Sequence, residues 1–121
     1  MKEIVIPVDH DILNIIYNCI IEHWRMPQYE EELSQETFKL LQELRERILG
    51  LRGNPKTEEI KLSRSELDVI VKAYEIGFRE LIRDGGDFHP IVGHETKRGE
   101  EVLEILKSYQ SATSQELEQN D

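Results

Sequence analysis

Cysteine is almost absent from this chain of 121 residues, which contains only Cys19. A lone cysteine excludes an intrachain disulfide, so the disulfide scaffold typical of small secreted domains does not apply. It also excludes zinc sites built from cysteine pairs. Because Cys19 lies in the apolar run 15–21, we expect a buried thiol in a protein from a reducing compartment.

Basic residues are also scarce. Lysine and arginine total 15 against 25 aspartates and glutamates, which gives a formal net charge of -10 at pH 7 and a pI near 4.9. Nucleic-acid binding draws on many lysine and arginine contacts to phosphates. We therefore expect no direct nucleic-acid partner.

Long apolar runs are missing as well. Asp9 and Asp11 precede the first apolar stretch, and Asn18 and Glu22 interrupt it. The stretch is therefore shorter than the roughly 20 residues that cross a bilayer, and it does not resemble a secretory h-region. We expect a cytoplasmic protein without a membrane partner.

The remaining composition predicts one folded domain. Hydrophobic residues make up 38% of the chain, enough for a core, and charged residues make up 33%, above the roughly 25% that is usual. We expect a single compact helical domain over residues 1–111. Residues 112–121 are polar and have little to bury, which predicts a flexible tail.

Hydrophobic spacing predicts a mainly α fold class with about four helices and a minor two-stranded β element. The strands are expected at 4–8 and 59–62, and the helices at about 9–25, 34–51, 63–83 and 95–111. Pro7 has no amide proton, so its strand should lie at an edge or use that position without a ladder bond. Ser63 and Glu66 have the spacing of a capping box.

Two strand–helix units, residues 4–24 and 58–78, resemble one another. A shift of 54 positions superposes Ile6 on Ile60 and Trp24 on Phe78. Any two capped strand–helix units would share such a pattern. The alternative is an internal β-α repeat, which predicts that the strands pair and that their helices pack side by side.

The first helix is apolar around most of its circumference, so its own chain or another subunit must cover it. Aromatic residues are favoured at the centres of buried interfaces. This pattern predicts a homo-oligomer with Tyr17, Ile20 and Trp24 in the interface.

Acidic residues are dense near the start of the second helix. Glu30, Glu31, Glu32 and Glu36 lie in a segment without a basic residue. The negative electrostatic potential of such a segment accelerates encounter with a basic partner. Solubility is the alternative explanation. We predict a non-catalytic interaction protein of inhibitor, immunity or adaptor type, with these glutamates and Tyr29 in contact with a basic protein partner. In size and charge alone, the chain is similar to small acidic inhibitors such as immunity proteins.

A second hypothesis is a module that binds a small anionic or nucleotide-like ligand near residues 79–98. Glycine amides before a helix N-terminus can hold an anion, an aromatic ring can stack on a base, and nearby cations can meet phosphates. The candidate residues are Arg79, Arg83, Phe88, His89, Lys97 and Arg98.

A third hypothesis is a metal-dependent hydrolase. Asp84, Asp87, His89 and His94 could bind a divalent cation and leave a position open for water. Their spacing matches no zinc motif, and a plain helix connector explains the same residues. We predict no catalytic residue and no cofactor from the sequence.

Overall fold

A computed structural model describes residues 3–21, 34–82 and 96–119 of the protein. The elements in these ranges are β1 (Ile4–Pro7), α1 (His10–Ile21), α2 (Gln35–Arg52), β2 (Glu59–Leu62), α3 (Arg64–Ile82) and α4 (Thr96–Gln119). This architecture confirms the predicted fold class of four helices with a small two-stranded sheet. None of the described helices combines the length and the apolar character needed to cross a membrane.

The two strands pair antiparallel, with Ile6 opposite Ile60 and Pro7 opposite Glu59. The N–H of Val8 donates to the carbonyl oxygen of Glu58 at 3.0 Å. Hydrogen-bonded and non-hydrogen-bonded pairs alternate in an antiparallel ladder, so Ile6 lies at a bonded position and Pro7 at a non-bonded one. The missing N–H of Pro7 therefore costs no ladder bond, as the sequence required.

The sheet has one buried face and one exposed face. Ile4 and Ile6 of β1 and Ile60 and Leu62 of β2 are buried against the helices. Val5 points the other way, opposite Lys61, and the residue is 46% exposed. This alternation follows from the two-residue period of a strand.

Local hydrogen bonds fix where the helices begin. The Oδ1 atom of Asp9 accepts the N–H of Ile12 at 2.8 Å before α1, and Ser34 caps α2. The predicted capping box is present before α3. Glu66 donates its N–H to Ser63 Oγ at 3.1 Å, and the Glu66 carboxylate accepts the N–H of Ser63 at 2.8 Å.

The first helix is covered by its own chain. It packs against α2, α3 and α4, and Leu13, Ile16, Cys19 and Ile20 are almost completely inaccessible to solvent. The apolar surface that suggested an oligomer is thus satisfied within the described chain. A homo-oligomer stays a prediction, but it no longer follows from the apolar character of α1.

Two further predictions are not decided by the fold. The strands pair and α1 contacts α3, as an internal repeat over 4–24 and 58–78 requires, but two unrelated capped units would give the same arrangement.

The last helix continues to Gln119, eight residues beyond its expected end at Ser111. The domain boundary at 111 and the flexibility of residues 112–121 stay predictions.

Candidate functional site

An open groove of about 550 Å³ lies between the end of β1 and one side of α4. Its lining consists of Pro7, Arg98, Glu101, Glu104, Ile105, Ser108 and Tyr109. The residues from α4 recur at steps of three and four, which places them along one side of that helix. One wall of the groove is therefore formed by side chains along one side of α4, and the other wall is formed by the end of β1.

Apolar groups form part of the groove surface. Ile105 and Tyr109 are half-buried and pack against the hydrophobic core, while Pro7 is exposed at the end of β1. Because the core holds the two α4 side chains, this apolar surface is preformed. A bound chain could bury an aliphatic side chain here without rearranging the helix.

The charged groups of the groove are mainly acidic. Arg98 Nη1 donates to Glu101 Oε2 at 3.1 Å, so these two charges compensate each other. Glu104 is exposed, and no cation among the described residues lies within ion-pair distance of it. The unbalanced charge at the groove is therefore the carboxylate of Glu104.

The edge of β1 that faces away from β2 has unused hydrogen-bonding groups. By the ladder alternation, the N–H and C=O of Val5 and the C=O of Pro7 point away from β2. Within the described residues these groups have no hydrogen-bond partner. The opposite edge differs, because Arg47 Nη1 donates to the carbonyl oxygen of Lys61 in β2 at 3.2 Å.

A buried polar contact positions the first turn of α4. The hydroxyl of Tyr74 donates to the carbonyl oxygen of Gly99 at 2.7 Å and is hydrogen-bonded to the thiol of Cys19. Burial raises the pKa of Cys19 to about 12 and also raises the pKa of Tyr74. The predicted burial of the thiol is confirmed, and such a thiol is a poor nucleophile.

A second contact ties β2 to α2 and α3. Arg47 binds the carboxylate of Glu66 as well as the carbonyl of Lys61. Burial alone would raise the pKa of Glu66, but the hydrogen bond from Arg47, the bonds from Ser63 and the charge of Arg47 together hold that pKa below its ordinary value. We assign this cluster a structural role, since each polar group has a partner.

The residues predicted for an oligomer interface have different environments. Tyr17 is half-buried, and the guanidinium of Arg52 lies 4.2 Å from the centre of its ring. Ile20 is fully buried, so its side chain offers no surface to a second copy. Trp24 lies outside the described residues.

The predicted contacts with a protein partner are described at one position. Glu36 is exposed in the first turn of α2. Tyr29, Glu30, Glu31 and Glu32 lie outside the described residues, so their role stays a prediction.

The two alternative sites are only partly described. Of the anion-binding candidates, Arg79 and Lys97 are exposed and Arg98 lines the groove with its charge paired to Glu101. Arg83, Phe88 and His89 lie outside the described residues, as do all four metal candidates: Asp84, Asp87, His89 and His94. No group of three or more potential metal ligands occurs among the residues that are described.

The sequence did not identify the groove as a site. It indicated that Pro7 belongs at an edge or an unbonded position, and it predicted a last helix at about 95–111. It gave no sign that this strand end would lie beside that helix. Such a juxtaposition depends on packing between residues far apart in the chain.

The chain matches no protein-family model, no curated protein and no solved structure.

Proposed function

We propose that this protein is a non-catalytic interaction protein, of inhibitor or adaptor type, which binds a basic segment of a protein partner. The observation that carries the proposal is the groove between β1 and α4. It combines a preformed apolar surface at Ile105 and Tyr109 with the carboxylate of Glu104, which has no ion-pair partner among the described residues. A segment with a basic and an aliphatic side chain complements both features.

The distribution of ion pairs supports a basic partner. Several cations are already bound to carboxylates of the same chain: Arg45–Glu46, Arg47–Glu66, Arg98–Glu101 and Lys107–Glu75. Each pair is neutral overall, so the net charge of -10 comes from the remaining carboxylates. A surplus of this sign accelerates encounter with a positively charged surface.

The environments of Cys19 and Ser63 argue against nucleophilic catalysis by either residue. The thiol of Cys19 is buried with a pKa of about 12, which keeps it protonated near neutral pH. The hydroxyl of Ser63 accepts a backbone N–H in the capping box. Both side chains therefore have structural roles that account for their positions.

The test is affinity capture followed by calorimetry with the purified partner. We compare the unchanged chain with a Glu104→Lys variant and with a Glu43→Lys control. Glu43 is also an exposed helical glutamate without an ion-pair partner among the described residues, so the control makes the same charge change away from the groove. We expect Glu104→Lys to weaken binding about tenfold, since it replaces attraction by repulsion at the contact.

Two results would contradict the proposal. One is a partner whose affinity is the same for the unchanged chain and for the Glu104→Lys variant. The other is an equal loss of affinity in the two variants, which would indicate a general charge effect without a site.

The acidic segment 30–36 remains part of the proposal as a second contact with the same partner. Glu36 is exposed at the start of α2, as a contact residue must be. Changing Glu30, Glu31, Glu32 and Glu36 to glutamine should lower the yield of the captured partner. An unchanged yield would remove this segment from the interface and leave the groove as the binding site.

A further inference from the structure

The geometry points to β-strand addition as the mode of recognition: a basic, extended segment of the partner pairs with the open edge of β1 and lies across α4. This inference rests on the proposed function and specifies how the partner is held. Three features support it: the hydrogen-bonding pattern of the edge, the difference between the two edges, and the side chains beneath an added strand.

Val5 is the centre of the proposed pairing. Its N–H and C=O both point away from β2 and lack partners within the described residues. One residue of an incoming antiparallel strand can exchange two hydrogen bonds with these groups. Pro7 offers a carbonyl but no N–H, so it limits the length of strand that can pair.

The other edge of the sheet is less available. Arg47 occupies the outward carbonyl of Lys61 and is itself held by Glu66. An incoming strand at β2 would have to displace this bonded guanidinium. Strand addition is therefore favoured at β1, the strand whose Pro7 lines the groove.

The pleat determines which side chains of the added strand face α4. Neighbours of Ile4 and Ile6 point inward, since those two residues are buried, whereas the neighbour of Val5 points to solvent. Inward side chains would approach Ile105 and Tyr109, which pack against the same core as Ile4 and Ile6, and Glu104, which lines the groove with them. The matching segment carries aliphatic and basic residues at alternate positions, separated by outward polar residues.

Charge favours such a partner over a second copy of this chain. Two copies paired through β1 would each bring the carboxylate of Glu104 toward the same interface. A basic segment instead places its cations near Glu104. Self-pairing through the edge is therefore an alternative that the experiment must detect.

The test uses a blocked peptide of sequence Thr-Lys-Thr-Val-Thr-Lys-Thr and the same peptide with glutamate in place of lysine. The protein variants are Val5→Pro and Val5→Thr. Val5→Pro removes the outward N–H without costing a bond to β2, because Val5 lies at a non-bonded position. Val5→Thr changes the same exposed side chain and keeps that N–H.

We expect the lysine peptide to bind the unchanged chain and Val5→Thr with equal affinity in an NMR titration. Val5→Pro should bind it about threefold to tenfold more weakly, the effect of one lost hydrogen bond. Amide hydrogen exchange at Val5 should slow in the saturated complex. The glutamate peptide should not bind.

If Val5→Pro does not fold, the same question can be answered with the unchanged chain. Methylation of the backbone nitrogens of the threonines in the lysine peptide removes the donors that would face β1. The methylated peptide should bind the unchanged chain at least about threefold to tenfold more weakly than the unmodified peptide does, since at least one hydrogen bond is lost.

Several outcomes would overturn strand addition. If the lysine peptide binds Val5→Pro and Val5→Thr equally while Glu104→Lys weakens it, the basic-partner function stands and the pairing does not. If sedimentation shows a dimer that Val5→Pro dissociates, a second copy occupies the edge. If the lysine peptide does not bind, or if both peptides bind equally, the inference fails, while calorimetry with the purified partner still decides the proposed function.

Discussion

The hydroxyl of Tyr74 joins three helices through Cys19 of α1 and Gly99 of α4. Tyr74→Phe would remove the donor to the buried Gly99 carbonyl, 2.7 Å away. An unsatisfied buried acceptor costs about 1–3 kcal/mol. We expect the free energy of unfolding, measured in urea, to fall by about that amount.

The matched control for this change is Tyr17→Phe. The half-buried ring of Tyr17 lies under the guanidinium of Arg52, and phenylalanine keeps that stacking. We expect little change in the free energy of unfolding. Equal losses in the two variants would contradict the role assigned to the Tyr74–Gly99 bond.

The thiol of Cys19 should be protected from chemical modification by the fold. Its pKa of about 12 and its burial leave almost no thiolate near neutral pH, and the thiolate is the reactive form. In native buffer at about pH 8, we expect a thiol reagent to modify Cys19 only as fast as the chain unfolds. An exposed cysteine introduced by Ser108→Cys should react at once, and equally fast reaction of Cys19 would refute its burial.

Glu66 should make stability depend on pH. Its pKa in the folded chain is held below the ordinary value, which is about 4.3 for glutamate. Between these two pKa values the unfolded chain binds more protons, so the stabilising contribution is complete above the ordinary pKa and is lost as pH falls through the folded-state pKa. Urea unfolding over this acidic range should show a shallower pH dependence for Glu66→Gln than for the unchanged chain, and an identical pH dependence would contradict the role assigned to Glu66.

The separation in sequence between contacting residues determines which of these contacts the sequence could predict. The capping box of Ser63 and Glu66 follows from a spacing of three residues, so the sequence alone predicted it. The bond from Tyr74 to Gly99 joins residues 25 positions apart and depends on how α3 meets α4. No local pattern encodes that meeting.

At the scale of elements, one edge of β1 is paired with β2, and the backbone groups of the other edge have no hydrogen-bond partner within the described residues. Pro7 protects part of the outer edge, since it offers no N–H to another strand. Pro7→Val would add an outward donor without removing a bond to β2. We expect a free energy of unfolding within about 1 kcal/mol of the original, because the main change is in the freedom of the unfolded chain.

The same variant should pair more readily with other strands. We expect Pro7→Val to show stronger binding of the lysine peptide, or more self-association in sedimentation, than the unchanged chain. A large loss of stability would mean that Pro7 is required for the fold itself and that its position is not simply an unbonded edge.

The helices and strands were predictable because each carries its signal in its own residues. Period-three and period-four spacing located α2 and α3, and the β-branched run located β1. The groove could not be predicted, because no single element carries its signal. Its two walls, Pro7 and the side of α4, lie at opposite ends of the chain and come together only through the shared core.

At the scale of the whole molecule, the apolar residues and the charges are separated. The described core occupies the space between the helices and the inner face of the sheet, so α1 does not need a second subunit to cover it. The surface retains the surplus of negative charge. We expect a basic partner to be attracted by this overall negative charge and then to bind at a local contact.

This separation predicts how binding of the lysine peptide should respond to salt. The screening length falls from about 30 Å at 0.01 M salt to about 8 Å at 0.15 M, so steering by the total charge should weaken and the association rate should drop. Glu104→Lys and Glu43→Lys change the net charge equally, so both should lower the association rate at low salt. Only Glu104→Lys should also raise the dissociation rate, because only Glu104 lies at the contact. Stopped-flow measurements can separate the two rates. The same dissociation rate for both variants would place the contact elsewhere.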